Sequence, residues 1–349
     1  MTGSGFEWTR SSGTGRGGEL TTSAPLLEVT DLQAQFRGFK GQRVIKAVDG
    51  ISFTLNAGET LGLVGESGCG KTTTCHALFR LLPGAGEIVG GSIRFDGEDL
   101  MEKTPAEMRE VRGRDIAMIL QDPMASLDPL FTIFDQVAEP AYHHRQLRRR
   151  TLKQRVIELL TSVRIPSPEI RMGEYPHQMS GGMRQRIVGA TALSGEPKLI
   201  VADEPTTNLD VTIQLQYLNL LRDIQKETGV ALIFVTHNLG IVAKMCDKVA
   251  VMYAGKIVEQ GSVREIYNHP QHPYTEALLK SIPTLGNKDD LYVIPGQPPN
   301  LAELPTGCYF HPRCPSALDR CRSESPPEIP LGDGRSSKCW LVSNEVHSA

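Results

Sequence analysis

The sequence has no run approaching the ~18 apolar residues that a membrane-spanning helix needs, and its first residues lack the apolar core of a secretory signal. A soluble, cytosolic protein is expected. Aromatic residues make up only 6% of the chain and the formal net charge is -3, so there is no electrostatic footprint for nucleic acid, and no such partner is expected. The seven cysteines, three of them scattered at Cys69, Cys75 and Cys246, form no disulfide framework. Apolar residues are also scarce over 1–25, where Gly, Ser, Thr and Arg dominate; ordering that stretch would cost entropy without return, and a disordered tail is expected. What is present is length: 349 residues exceed one typical domain and allow a core of about 250 residues plus appended material.

Within that core, Gly65-Glu66-Ser67-Gly68-Cys69-Gly70-Lys71-Thr72 fits G-x-x-x-x-G-K-[ST] without a mismatch and directly follows the apolar run Thr60 to Val64. It reads as a phosphate-binding loop. Glycines let backbone N–H groups turn inward around phosphate oxygens, Lys71 reaches the β and γ phosphates, and the Thr72 hydroxyl ligates Mg2+. A helix is expected from near Lys71 to about Leu82, adding its positive N-terminal dipole.

Before this loop, Leu27 to Phe36, Val44 to Val48 and Ile51 to Leu55 read as short strands of an antiparallel β subdomain. Phe36 or Phe39 would either stack on an adenine face or pack in the core. Gly90 to Gly97 reads as a turn with a short strand. Ile116 to Leu120 is an apolar run ending at Gln121, and two prolines in Asp122 to Pro129 argue for loop. Helical periodicity dominates from about Phe131 to Arg186. It includes the basic stretch His143 to Arg155, whose arginines are expected mostly on a solvated face or against lipid or a partner.

Met179-Ser180-Gly181-Gly182-Met183 opens a second helix whose N-terminus is ready for an anion. Lys198 to Ala202 is an apolar strand capped by Asp203-Glu204, where one carboxylate can hold Mg2+ and its neighbour can address a water. The loop Thr206 to Asp210 leads to a helix ending near Thr228. The strand Ala231 to Val235 ends at Thr236-His237, and Lys248 to Met252 with Lys256 to Glu259 reads as a hairpin.

In this order the pieces resemble the ATP-binding subunit of an ABC transporter, over roughly Leu26 to Gly261. The resemblance implies an α/β, ABC-type P-loop ATPase core with an antiparallel β subdomain and a helical signature subdomain over about 125–190. It further implies that Gly65, Ser67, Gly68, Cys69, Gly70, Lys71, Thr72 and Thr73 bind ATP. By the same resemblance Gln121 is the Q-loop glutamine, Ser180, Gly181 and Gly182 the family signature, Asp203 and Glu204 the Walker B pair, Asp210 the D-loop and His237 the switch histidine. Thr72, Gln121 and Asp203 would hold Mg2+; Glu204, His237 and Gln121 would carry catalysis. The implied mechanism is ATP hydrolysis in a head-to-tail dimer, with Ser180 and Gly182 of the facing chain closing over the γ-phosphate. Two departures stand out: Met179 and Met183 replace the usual Leu and Gln around the signature, and Asn208 occupies a D-loop position that commonly holds a small residue.

Gln121 to Met124, Pro205-Thr206-Thr207, Leu209 to Gln214 and His272 to Leu279 are similar to the oligopeptide/dipeptide importer branch. The branch implies two transmembrane permease subunits, an extracytoplasmic solute-binding protein and a peripheral place on the cytoplasmic face of the inner membrane. Peptides are the expected cargo, with nickel, sugars or opines as alternatives. From 262 on, a C-terminal extension of this type carries Cys308, Cys314, Cys321 and Cys339, spaced C-x5-C-x6-C-x17-C among prolines and glycines. Four clustered thiols suggest a metal staple. The resemblance favours a 4Fe-4S cluster, with structural zinc or free redox thiols as alternatives. Rival functions are a soluble, non-transport ABC ATPase, which would more often carry two cassettes or a coiled-coil insert, and a redox-sensing regulator built on the four cysteines. Asn287-Lys288-Asp289-Asp290 resembles a guanine-reading motif but has no apolar strand to hold it, and is set aside.

Overall fold

The computed structural model describes residues 24–38, 43–207, 209–282 and 292–342. Most of the expected tail, Phe39, Asn208 and the Asn287 to Asp290 stretch lie outside them. Two sheets organise the chain. The smaller is antiparallel, with Leu27–Arg37 flanked by Val44–Leu55 and Gly86–Phe95, and the two-residue strand Glu98–Asp99 on the outer edge. Gly86–Phe95 is longer than the short strand expected from Gly90 onward. It passes Gly90-Gly91 through a break in register opposite Thr30 to Gln33; Gly91 takes φ +85°, and a Cβ there would lie 2.4 Å from the Asp31 carbonyl oxygen. Two glycines mid-strand thus mark a bulge, not an end.

The larger sheet has eight strands. Its parallel part runs Ile116–Ile119, Leu199–Asp203, Ala231–Thr236, Thr60–Val64 and Lys248–Tyr253 in spatial order. The strands Thr60–Val64, Leu199–Asp203 and Ala231–Thr236 are buried at every residue, as continuous apolar runs covered on both faces should be. One face, with the helix Lys71–Leu78, packs against the small sheet through Leu27, Val29, Phe53, Leu63 and Val201. The other packs against Ile133–Arg145, Arg149–Ser162, Gly181–Ser194 and Val211–Thr228. The helix after the phosphate loop stops at Leu78, short of the expected Leu82, because Arg80 adopts φ +51°.

The two prolines after Gln121 do not exclude a helix. Pro123–Ser126 forms a single turn, with proline in its first position and the Asp122 carboxylate accepting from the Met124 N–H at 2.8 Å. In the basic stretch Arg148 and Arg150 are exposed, but Arg155 is buried, 3.0 Å from Glu196, and Arg145 donates to the Gly195 carbonyl. Both cations fasten their helices to the segment that follows Gly181–Ser194, and of the two only Arg155 is withdrawn from solvent. The C-terminal extension joins the large sheet: its hairpin, Ile329–Gly332 and Arg335–Ser337, pairs with Lys256–Ser262 in the register Glu259↔Ser337. Among the described residues no helix is long and apolar enough to cross a membrane.

Candidate active site

The phosphate loop, Gln121, the Asp203-Glu204 pair and His237 all stand at the C-terminal ends of the parallel strands, where open α/β sheets place their ligands. The strand Thr60–Val64 delivers the chain to Gly65 and then to Gly70, which precedes the helix with φ +107°. A Cβ on Gly70 would lie 2.1 Å from the Ala47 carbonyl oxygen, so only glycine fits. No side chain caps this helix and no acid lies in its first turn, which leaves its N–H groups to an outside acceptor. Ser67, Gly68 and Thr72 are exposed on the loop and Thr73 is half-buried. Lys71 is buried, its ammonium donating to the carbonyls of Gly65 at 2.7 Å and Glu66 at 3.1 Å. Cys69 turns its thiol inward, 3.8 Å from Lys71 Nζ, and burial pushes that thiol's pKa up, so its side chain offers nothing to a phosphate.

Asp203, 3% exposed, ends the strand Leu199–Asp203, two places along the sheet from Thr60–Val64, within hydrogen-bonding reach of the Thr72 side chain. Burial holds its carboxyl above the usual range against that hydrogen bond, and its Oδ1 is buried without a hydrogen-bond partner. An orphaned buried carboxylate oxygen beside a threonine hydroxyl is a donor set that fits a hard divalent cation.

The next residue is the centre of the site. Glu204 leaves the strand at φ +44°, a left-handed conformation that costs an ordinary residue about 1–3 kcal/mol. Its N–H donates to the Val235 carbonyl at 3.0 Å, which fixes the turn. Three side chains converge on its carboxylate: Gln121 Nε2 at 3.3 Å and Thr207 Oγ1 at 2.9 Å reach Oε2, and His237 Nδ1 lies 3.4 Å from Oε1. Gln121 and His237 come from the ends of two other strands. From the sequence Thr207 reads as loop and as part of the branch-like Pro205-Thr206-Thr207, with no place in the site; its spacing of three from Glu204 across a turn is the signal that marks it.

Other expected residues do not join this cluster. Ser180 caps the helix Gly181–Ser194, its hydroxyl accepting from the Met183 N–H at 3.3 Å, and Asp210 caps Val211–Thr228. A Cβ on Gly182 would meet Ile213 at 2.9 Å, so the signature and the D-loop helix touch each other. Among the described residues Ser180, Gly181, Gly182 and Asp210 make no side-chain hydrogen bond to the phosphate loop or to Glu204. Phe36 is half-buried, its ring against Gly86.

The four extension cysteines meet. Cys308, Cys314, Cys321 and Cys339 line one small pocket with Phe310 and Trp340, and all are free thiols. Burial raises the thiol pKa of Cys308 and Cys314, and that of Cys339 to about 11. Among the described residues no three His, Cys, Asp or Glu side chains gather as a metal-holding group.

A glycine loop at a helix N-terminus, an acid at the end of another strand of the same sheet and a glutamate gathered with glutamine and histidine define an ATP-binding cassette. The family described as ABC transporter matches residues 48–207, and that described as oligopeptide/dipeptide transporter, C-terminal region, matches 258–321. The chain is 48% identical over 324 residues to a probable peptide ABC transporter ATP-binding protein of Sinorhizobium fredii, covering 92% of this chain and 96% of the relative. It is 47% identical to the oligopeptide transport ATP-binding protein OppD of Bacillus subtilis (91% and 89%) and 45% identical to that organism's dipeptide transport ATP-binding protein DppD (93% and 97%). The chain therefore belongs to the ATP-binding subunits of ABC transporters, in their oligopeptide/dipeptide branch. Among solved structures it is similar to cbiO1 of Clostridium perfringens, part of the ABC transporter complex cbiONQ (TM-score 0.60, 28% identity, 71% and 92% covered). It shares the fold of the dimeric cassette MJ0796 bound to ADP and Pi (TM-score 0.61, 22% identity, 68% and 99% covered).

Proposed function

We propose that this chain hydrolyses ATP to drive import of peptides through a membrane complex. The observation that carries the reading is the convergence of Gln121, Thr207 and His237 on Glu204, one residue beyond the carboxylate that faces Thr72. ATP phosphates lie against the N–H groups of Gly65 and of Ser67 to Thr73, and Lys71 exchanges the carbonyls of Gly65 and Glu66 for β and γ oxygens. Thr72 and Asp203, with Gln121, would hold Mg2+, which would neutralise charge developing on the phosphates. Glu204 accepts a hydrogen bond from the attacking water and orients it; His237 donates to the γ-phosphate. Ser180, Gly181 and Gly182 act across a head-to-tail dimer on the nucleotide of a second ATPase subunit, with Asp210 at that junction.

The partners are that second subunit, two permease subunits and an extracytoplasmic binding protein, with this chain peripheral on the cytoplasmic face of the membrane. A groove of about 850 Å3 lined by Leu81, Leu120, Leu127, Phe131, Phe134 and Tyr142 supports permease docking. Phe131 and Tyr142 are more than half exposed there, and the chain runs from that groove directly into Gln121. Phe36 is the candidate face for adenine. The four thiols, which line one pocket, would hold a 4Fe-4S cluster of structural role, since ligation by four thiolates suits that chemistry. Peptide cargo rests on the relatives.

The test is uptake of labelled di- and oligopeptides in a strain lacking the gene, complemented with wild type or with Glu204→Gln. Uptake restored by wild type alone supports both the importer and the glutamate. Restoration by both removes Glu204 from catalysis. Failure of both refutes peptide cargo, and other small solutes would then be screened.

A further inference from the structure

The second residue of the phosphate loop is an acid, and an anion site has no use for one. Between Gly65 and Ser67 a free carboxylate would repel incoming phosphates and compete for Lys71. The fold turns it outward. Arg313 forks onto Glu66, Nη1 donating to Oε2 at 2.7 Å and Nη2 to Oε1 at 3.1 Å. The arginine is itself fixed: its side chain is 5% exposed, Nε donates to the Pro295 carbonyl at 2.8 Å, and Nη1 reaches the Tyr253 hydroxyl at 3.4 Å. The Glu66 N–H is engaged as well, donating to the Tyr274 hydroxyl at 3.0 Å. Tyr253, Tyr274 and Phe310 pack ring to ring, with centroids 4.6 to 5.3 Å apart, so both partners of Glu66 belong to one rigid cluster.

We propose that Arg313 is a positioning residue for nucleotide binding: it withdraws the Glu66 carboxylate from the phosphate site, so that the C-terminal extension sets the affinity of a loop 247 residues earlier in the chain. This rests on the nucleotide reading of Gly65 to Thr73. Arg313 lies in the single turn His311–Arg313, between Cys308 and Cys314, so whatever orders the thiol pocket also orders the fork. The bidentate geometry explains why an arginine stands there, since a lysine would hold one oxygen and leave the other free.

The experiment uses the purified full chain, with mant-ATP binding by fluorescence, ATPase kinetics and thermal melting on the same samples. Arg313→Gln weakens mant-ATP binding about tenfold and raises KM with kcat nearly unchanged, the size expected for losing a charge-assisted fork. Adding Glu66→Gln to that variant restores affinity to within about twofold of wild type, because no carboxylate remains to be withdrawn. A purely structural role would lower the melting temperature of both variants without that rescue. Unchanged affinity in Arg313→Gln, or a double variant as weak as the single, overturns the proposal. Should Arg313→Gln fail to fold, Arg313→Lys decides: about threefold weaker binding, rescued by Glu66→Gln, supports it, and wild-type affinity overturns it. Wild type that binds no mant-ATP sinks the nucleotide reading along with the inference. Wild type that binds while the Arg313 variants match it sinks the inference alone.

Discussion

Mild acid should loosen the helix that holds the phosphate loop from behind, and the cause is one histidine. His272, 2% exposed, caps Pro273–Lys280: its Nδ1 accepts the N–H of Tyr274 at 3.0 Å, so its proton must sit on Nε2. Burial drops its pKa to about 3, far below the ordinary 6.5. The folded chain thus excludes a proton that the unfolded chain binds. The associated stability is fully present above the unfolded pKa and is lost as pH falls from there toward the folded value. Taking both values, the loss between about pH 7 and pH 5 is about 2 kcal/mol, before most carboxylates begin to titrate. Protonation would also place a hydrogen on Nδ1 facing the Tyr274 N–H, destroying the cap whose tyrosine hydroxyl receives Glu66. Urea unfolding of wild type and His272→Asn at the two pH values measures this, since asparagine keeps a capping oxygen and does not titrate. Wild type should lose about 2 kcal/mol more than the variant over that range. Equal losses would refute the argument that burial of His272 makes the extension acid-sensitive.

The loop glycines should differ in a way that composition cannot foretell. Gly70→Ala drives a Cβ against the Ala47 carbonyl and should cost about 3 kcal/mol or more, whereas Gly68→Ala, with nothing within 4 Å, should cost about 1 kcal/mol from its positive φ alone; thermal melts without nucleotide separate them. Protein purified anaerobically should contain iron and acid-labile sulfide. Zinc alone, at one per chain, would overturn the cluster assignment.

The phosphate loop and the acid pair are legible because each is a run of residue types at fixed spacing, attached to a strand whose apolar character is equally local, whereas His237 is picked out only by the resemblance, from its place one strand after Asp203-Glu204. In the folded chain those strands run parallel, which places Gly65, Gln121, Glu204 and His237 together at their C-terminal ends. Where the reading missed, the cause was tertiary. Gly90-Gly91 reads as a turn unless the opposing bulge at Asp31 is known, and Arg155 reads as a surface cation unless Glu196 is brought against it.

The sequence by itself determined the motifs and their order: the glycine loop ending in Lys71-Thr72, the acid pair Asp203-Glu204 and the family they point to. Only the tertiary structure decided how the extension relates to that chemistry. Four cysteines and an arginine near the C-terminus carry no local sign that their hairpin completes the central sheet or that Arg313 takes both oxygens of Glu66. Pairing across 247 residues is fixed by packing and by the demand that a buried guanidinium find a counter-charge, and neither is written in the spacing of either segment.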